Sequence, residues 1–377
     1  MQQAGTYDNS TILLGAQRVD HYLPDLLGKR VAVVTNQTGM IGGTHLVDSL
    51  LSLKVKVVKV FAPEHGFRGD ADAGEAVKDE RDARTGLPII SLYGEHKKIA
   101  TAQLADVDLI LFDIQDVGVR FYTYVSTLHY VMEAAAANNK PLIVLDRPNP
   151  NGFYVDGPVL DPAFSSFVGM HPVPLVHGMT MGEYARMING EGWLAGKVKC
   201  ELTVIECSGY DHKKYYELPM KPSPNLPGMS AVYLYPSLGL FEGTPISVGR
   251  GTEKPFQCIG APDVTIGSYR FTPRSMPGAK DPPYKDKECR GMDLTEFGSF
   301  YMRLTHRIYL HWLIGMYAAS TDKQHFFTPF FDKLAGGPAL RTAIEAGTEE
   351  ELISASWKPA IDAFTKVRAK YLLYDDF

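Results

Sequence analysis

Long apolar runs and an excess of basic charge are both missing from this sequence. No apolar run reaches the roughly 18 to 20 residues that a transmembrane helix requires. Lysine and arginine total 38 against 43 aspartates and glutamates, which gives a formal net charge of −5. This balance provides no positive field to attract nucleic acid. We therefore expect a soluble protein that neither spans a membrane nor binds nucleic acid, and whose ligand is small or polar and neutral.

Cysteine is scarce as well. The four cysteines have neither CxxC spacing nor a histidine at zinc-ligand spacing, and they are too sparse for a disulfide scaffold. They are Cys200, Cys207, Cys258 and Cys289. We interpret them as structural, and the sequence predicts no metal site and no organic cofactor.

Nucleotide-binding loops are also absent. The first apolar run leads into residues 35–43, which lack the GxGxxG turn of dinucleotide-binding proteins, and no GxxxxGK[ST] phosphate loop occurs. A redox function would therefore rest on fold analogy alone.

What the sequence does contain is a series of near-continuous apolar runs separated by helix-like segments. Runs of this kind are typical of parallel strands that are buried on both faces. The predicted strands are residues 31–34, 55–61, 88–92, 107–112 and 142–145, with 173–176 and 200–205 as later additions. The predicted helices between them are residues 45–53, 95–104 and 122–138, and a capping box at Thr180 to Glu183 opens another.

A chain of 377 residues exceeds what one hydrophobic core usually supports. We predict an α/β fold: a Rossmann-like, doubly wound, mainly parallel sheet in residues 1–217, and a smaller α+β domain in residues 218–377 that closes an active-site cleft. The boundary is placed in the proline-rich stretch 218–227. In the second domain we predict helices at 231–241, 294–314 and 322–335, and a short strand at 246–248.

Polar residues follow each of the five main predicted strands. They occupy residues 35–39, 63–69, 93–94, 113–120 and 146–149. Because ligands of doubly wound sheets bind beyond the carboxyl ends of the strands, these loops predict one shared cleft. The alternative is that they are ordinary polar loops.

Glu64 is the strongest catalytic candidate. It follows an apolar strand, lies between Phe61 and Phe67, and has His65 and Arg68 as neighbours. A carboxyl group in such surroundings suits a general acid. The alternative is that Glu64 pairs with Arg68 or caps a turn. The acidic run that follows is interpreted as a solvated face rather than a metal site; it comprises Asp70, Asp72, Glu75, Asp79, Glu80 and Asp82.

Asp113 and Asp116 offer a second carboxylate for the same cleft. Tyr93, Phe121 and Tyr122 could provide the flat apolar surfaces on which sugars stack. A carboxyl pair with aromatic residues suits glycoside hydrolysis, in which one acid protonates the leaving oxygen and a second group assists at the anomeric carbon. A structural ion pair that involves Asp116 or Arg120 is the alternative.

The second domain adds a glycine-rich patch at residues 235–244 and 247–256. Arg250 could hold a carboxylate through two hydrogen bonds. Glu242 or Glu253 could contact sugar hydroxyls or complete the acid pair. Surface charges on a glycine-rich turn are the alternative interpretation.

Several of these segments together resemble the NamZ-type exo-β-N-acetylmuramidases, formerly described only as a domain of unknown function. The resemblance lies in residues 62–69, 91–94, 112–122, 145–150, 235–244 and 249–256. It implies a glycosidase that acts in peptidoglycan degradation, with the active site between a Rossmann-like domain and a C-terminal domain. It also implies that N-acetylmuramic acid is released from non-reducing ends, with Glu64 as the catalytic glutamate.

The resemblance further implies an extracytoplasmic protein, periplasmic or secreted. Residues 1–5 show no signal peptide, so Gln2 is expected to lie close to a mature N-terminus. Residues 268–287 match the family less clearly, and their role stays open, as does the oligomeric state.

Muramic acid carries a lactyl carboxylate, so we expect a cation in the pocket, with Arg68, Arg120 and Arg250 as candidates.

The 2-acetamido group permits either a protein nucleophile or assistance by the substrate. The hypothesis uses Glu64 as general acid and Asp113 or Asp116 as assisting carboxylate. The predicted substrate contacts are Asn36, His65, Arg68, Tyr93, Gln115, Arg120, Tyr122, Asn225, Glu242, Arg250 and Glu253.

Two other functions remain open at this point. A muropeptide-binding protein would keep the cleft without chemistry, and a different hydrolase, such as an ester-cleaving enzyme, would use the same groups on another bond. Glu64 favours catalysis, because a pure binding protein gains little from an acid in apolar surroundings.

Overall fold

The computed structural model describes residues 6–7, 9–64, 66–68, 80–94 and 96–377. The strands in chain order are β1 (Arg30–Thr35), β2 (Met40–Ile41), β3 (Thr44–His45), β4 (Lys56–Ala62), β5 (Glu80–Arg81), β6 (Pro88–Ser91), β7 (Leu109–Asp113), β8 (Leu142–Leu145), β9 (Leu202–Ile205), β10 (Cys258–Ala261), β11 (Tyr269–Phe271) and β12 (Cys289–Asp293). The α-helices are α1 (Leu23–Leu26), α2 (Leu46–Ser52), α3 (Tyr124–Ala137), α4 (Met181–Gly190), α5 (Met229–Leu238), α6 (Thr295–Phe300), α7 (Met302–Thr305), α8 (His311–Ala319), α9 (Pro329–Ala335), α10 (Ala339–Glu345) and α11 (Glu350–Arg368).

The main sheet has seven strands in the order β5-β6-β4-β1-β7-β8-β9. Its strands are parallel except β5, which pairs antiparallel with β6. Every residue of β7 and β8 is buried. The predicted mainly parallel sheet is therefore confirmed, and the near-continuous apolar runs reflect burial on both faces.

Successive residues of the central strand β1 point to opposite faces of the sheet. Val31 and Val33 join a core that includes α2, whereas Ala32 and Val34 join a larger core that includes α3 and α4. The larger core also contains residues of the C-terminal half, such as Phe331 of α9. One continuous apolar core thus fixes the C-terminal half against one face of the sheet.

The C-terminal half contains a three-stranded antiparallel sheet, in the order β10-β12-β11, together with helices α5 to α11. This confirms the predicted smaller α+β region. The boundary at residues 217 and 218 stays a prediction. Within the part of the chain that the structure describes, no helix is both long enough and apolar enough to cross a membrane.

Some local predictions were wrong. Residues 173–176 form no strand of the sheet, because Pro174 cannot donate a ladder hydrogen bond; only Val176 makes isolated bridges. Residues 96–104 contain only a 3₁₀ turn at Thr101–Leu104, and Glu95 lies outside the described residues. The helix predicted for 294–314 is three helices, interrupted by His306 at φ +48°.

The second-domain strand predicted at 246–248 is reduced to a bridge between Ser247 and Gly260. In the segment 322–335, only α9 is helical. The capping box at Thr180 is confirmed: its hydroxyl accepts from the Glu183 N–H, and the Glu183 side chain accepts from the Thr180 N–H. All four cysteines are buried and free, as expected for structural residues.

Candidate active site

A cavity of about 360 Å³ lies at the carboxyl end of the main sheet and is walled by both halves of the chain. Seven residues predicted from the sequence line it, namely Glu64, Tyr93, Phe121, Tyr122, Asn225, Glu242 and Arg250. Other lining residues that bear on its chemistry are Lys97, Thr123, Tyr124, Phe167, Tyr235, Phe256 and Phe330. A cavity between the two halves is therefore present, and it gathers only part of the predicted set.

Glu64 reaches this cavity because β4 ends two residues earlier. The Gly66 N–H donates to the Pro63 carbonyl oxygen at 3.1 Å, which closes a tight turn around Glu64. Gly66 has φ +76°, a left-handed conformation that glycine adopts without a steric cost. The turn fixes the carboxylate directly beyond the strand, at the edge where ligands of such sheets bind.

Two hydroxyl groups hold the Glu64 carboxylate. The Thr123 hydroxyl, at the start of α3, donates to Glu64 Oε2 at 3.1 Å. The Tyr93 hydroxyl also hydrogen-bonds to Glu64, since β4 and β6 are parallel neighbours whose ends lie side by side. Burial and the Glu64 carboxylate together raise the pKa of Tyr93 well above its usual range, so Tyr93 stays a donor. Glu64 is thus half-buried and oriented from two sides.

Arg250 and Glu242 form the second charged group of the cavity. Nε and Nη2 of Arg250 both donate to Glu242 Oε1, at 2.9 and 2.8 Å. The guanidinium also lies 4.9 Å from the ring centre of Phe256. Burial opposes the charged form of Arg250, but the carboxylates of Glu242 and Glu64 hold its pKa above its usual range. Arg250 is therefore a permanent cation, and Glu242 already occupies part of its donor fork.

Aromatic rings form much of the remaining wall. Tyr122 contacts Tyr124 and Tyr235 edge-on, with ring centres 4.9 and 5.8 Å apart. Tyr235 in turn contacts Phe121 at 5.1 Å and Phe256 at 4.9 Å. Such edge-to-face packing makes a rigid apolar surface. Flat apolar surfaces next to carboxylates are suited to binding a sugar ring.

Lys97 and Phe167 were not singled out from the sequence. The Lys97 ammonium lies 4.6 Å from the Phe167 ring centre, and both residues line the cavity. Sequence position offered one signal, because Lys97 follows the polar end of the third main strand. The sequence predicted a helix over residues 95–104, but Lys97 lies in irregular chain, so the predicted helix gave no guide to its direction.

Asp113 is placed elsewhere than predicted. The Arg147 guanidinium donates to both of its oxygens, at 2.5 and 2.8 Å, and both side chains are almost completely buried. A carboxylate engaged in this way is a buried structural ion pair. Asp113 does not line the cavity, and we assign it no catalytic role.

Asp116 and Gln115 also lie outside the lining. The Asp116 carboxylate accepts from the Gly118 N–H at 2.6 Å, and burial raises its pKa to about 7. The Gln115 amide donates to the carbonyl oxygens of Asp116 and Pro148, each at 2.8 Å. These contacts fix the loop after β7 rather than present groups to a ligand.

Arg120 is buried among carbonyl groups. Its guanidinium donates to the backbone oxygens of Pro158, Val173 and Leu334 at 2.6 to 3.0 Å, and burial lowers its pKa to about 10. This geometry leaves it outside the cavity lining. The predicted role in binding a substrate carboxylate is replaced by a structural one that connects the two halves of the chain.

Three further predicted residues are also outside the lining. Asn36 is buried behind it and donates to the Tyr124 hydroxyl at 2.8 Å, which supports the aromatic wall. Arg68 pairs with Asp82 at 2.9 Å, so it is engaged away from the cavity. Glu253 is exposed on the surface.

His65 lies outside the described residues, as do Asp70, Asp72, Glu75 and Asp79 of the acidic run. Over the ranges that the structure describes, no cluster of histidine, cysteine, aspartate and glutamate has the arrangement of a metal site.

Known proteins resemble this chain in sequence and in structure. Sequence profiles of the exo-β-N-acetylmuramidase NamZ match the chain along most of its length, the N-terminal profile over residues 31–230 and the C-terminal profile over residues 233–374. The chain belongs to the NamZ family. Its resemblance to that family, noted from the sequence, is therefore confirmed.

Individual relatives cover almost the whole chain. It is 41% identical to the peptidoglycan β-N-acetylmuramidase NamZ of Bacillus subtilis (strain 168), over 94% of this chain and 90% of that protein. A crystal structure of a DUF1343 family protein from Bacteroides fragilis has a TM-score of 0.91 at 46% identity, covering 98% of this chain and all of that one. A second such protein from the same organism has a TM-score of 0.79 at 30% identity, with the same coverage.

Proposed function

We propose that this protein is an exo-β-N-acetylmuramidase that releases N-acetylmuramic acid from the non-reducing ends of peptidoglycan fragments. The observation that carries the proposal is the position of Glu64, oriented by Thr123 and Tyr93 at the wall of a cavity between the two halves. Membership of the NamZ family supports the substrate class. The proposed site of action is outside the cytoplasmic membrane, where peptidoglycan lies.

Glu64 acts as the general acid in this proposal. It protonates the glycosidic oxygen as the bond to the anomeric carbon breaks, so that the leaving sugar departs as an alcohol. The Thr123 hydroxyl donates to Oε2 at 3.1 Å and limits the directions in which the carboxyl group can turn. A fixed direction matters because proton transfer requires hydrogen-bond contact with the leaving oxygen.

Glu242 is the second carboxylate of the described lining. Asp113 and Asp116 lie away from the cavity, so Glu242 replaces them as the carboxylate that assists at the anomeric carbon. It acts there directly, or it orients the 2-acetamido group of the substrate when that group is the nucleophile. Arg250 holds Glu242 in place through its two donors.

The test uses para-nitrophenyl β-N-acetylmuraminide and para-nitrophenyl β-N-acetylglucosaminide, which differ only in the lactyl ether. The native protein should release para-nitrophenol from the muraminide and leave the glucosaminide nearly intact. Equal rates on both would reject the muramidase assignment. A folded protein that binds muropeptides tightly but cleaves neither substrate would support the non-catalytic binding protein instead.

A further inference from the structure

We propose that Lys97, supported by Phe167, binds the lactyl carboxylate of the substrate and selects N-acetylmuramic acid over N-acetylglucosamine. This proposal rests on the proposed function. Lys97 is half-buried in the cavity wall, and its ammonium lies 4.6 Å from the Phe167 ring centre. The ring positions the ammonium while leaving its donors available to a ligand.

The three arginines that were candidates for this role already have partners within the protein. Arg250 gives two donors to Glu242. Arg68 pairs with Asp82, and Arg120 is held by backbone carbonyl oxygens. By contrast, Lys97 makes no ion pair with any carboxylate of the residues that the structure describes. It is thus the lining cation with charge available for a substrate anion.

The charge balance of the cavity points the same way. The proposed mechanism requires Glu64 to deliver a proton, and in its protonated form it adds no charge to the cavity. Arg250 and Glu242 cancel each other. Lys97 then gives the described lining a net charge of about +1, which matches the single negative charge of the lactyl group.

The neighbouring residue Lys98 makes the contrast clear. Its ammonium lies 4.6 Å from the ring centre of Tyr130, the same cation-ring distance as for Lys97. Unlike Lys97, it pairs with the Glu133 carboxylate at 2.9 Å and does not line the cavity. Each of these adjacent lysines therefore lies over an aromatic ring of its own, but Lys98 pairs with a protein carboxylate whereas Lys97 lines the proposed binding site.

The matched variants Lys97→Met and Lys98→Met test the proposal on the muraminide and glucosaminide aryl substrates. A charge-assisted hydrogen bond contributes enough that its loss should lower kcat/KM for the muraminide about 10-fold to 100-fold, chiefly through KM. The low residual activity on the glucosaminide should not fall. Lys98→Met should behave as the native protein, and Lys97→Arg should recover part of the loss. An unchanged muraminide preference in Lys97→Met, or an equal loss on both substrates, would overturn the proposal.

Calorimetric binding of free N-acetylmuramic acid separates this proposal from the proposed catalytic function. Weaker binding to Lys97→Met than to the native protein, with N-acetylglucosamine unaffected, supports the lactyl site even if no cleavage occurs. Equal binding of N-acetylmuramic acid by the native protein, Lys97→Met and Lys98→Met, or no binding to any of them, would refute it. A loss on Arg250→Lys alone would assign the carboxylate to Arg250 instead.

Discussion

Replacing Glu64 by glutamine should slow cleavage of a natural sugar linkage far more than cleavage of an aryl glycoside. In the native protein the Thr123 hydroxyl donates to Glu64 Oε2 at 3.1 Å. Glutamine keeps the shape of the side chain and a carbonyl oxygen that can accept the same hydrogen bond. Substrate binding should therefore change little. What is lost is the proton given to the leaving oxygen, a contribution of about 100-fold to 10,000-fold to the rate.

In energy, that loss corresponds to roughly 3 to 5 kcal/mol of transition-state stabilisation for the sugar leaving group. Para-nitrophenolate leaves without protonation, so the aryl muraminide should lose only about 10-fold. The assay compares kcat for an N-acetylmuramyl disaccharide and for the aryl substrate, with native protein and Glu64→Gln side by side. Glu253→Gln is the matched control, because Glu253 is an exposed glutamate outside the cavity lining.

An equal loss on the two substrates would show that Glu64 does not act as a general acid. Native rates on the disaccharide would remove Glu64 from the mechanism. A loss in the Glu253 variant of the same size would point to unfolding rather than chemistry.

The remaining predictions concern charge pairs and pH. Arg250→Lys should lower kcat/KM on the muraminide about 10-fold, because a single ammonium cannot reproduce the fork that holds Glu242; circular dichroism should show the native fold, and an unchanged rate would contradict the role of the pair. Arg147→Met should lower the free energy of unfolding by about 3 kcal/mol in urea titration, because it leaves the buried Asp113 carboxylate unpaired; a loss below about 1 kcal/mol would contradict this. Burial raises the pKa of Asp116 from 3.8 to about 7, so between these pH values the folded protein holds a proton that the unfolded chain has released. The stability that this proton contributes is complete below about pH 4 and is lost as the pH rises through 7. Asp116→Asn mimics the neutral form and should exceed the native protein in unfolding free energy by about 4 kcal/mol at pH 8 but not at pH 4, and a pH-independent difference would refute this.

The sequence predicted the main sheet well because its strands are buried on both faces. A strand such as β8, Leu142–Leu145, is apolar at every position, and that pattern is hard to mistake. Glu64 and Tyr93 were found for a related reason, since they directly follow two strands that are neighbours in the sheet. Strand ends are thus the part of the site that a sequence shows most directly.

Sequence reasoning failed where side-chain direction decided the outcome. Asp113 also follows a strand, but its carboxylate turns toward Arg147 in the interior. Arg120 looks like a substrate-binding cation, yet carbonyl groups 38 to 214 residues away enclose it. Such partners are distant in sequence, and no local pattern reveals them.

Lys97 was missed for the opposite reason. A helix was predicted over residues 95–104, but Lys97 lies in irregular chain, where no helix period indicates which way a side chain points. Only the packing of Phe167, 70 residues later in the sequence, places the ammonium at the cavity.

Mass spectrometry of the products from two isomeric disaccharides is the most direct test of the central claim. One disaccharide carries N-acetylmuramic acid at the non-reducing end, and the other carries N-acetylglucosamine there. The native protein should release free N-acetylmuramic acid from the first and leave the second intact, and Glu64→Gln should release almost none. No release by the folded native protein, or cleavage of the second disaccharide, would contradict Glu64-dependent exo-β-N-acetylmuramidase activity.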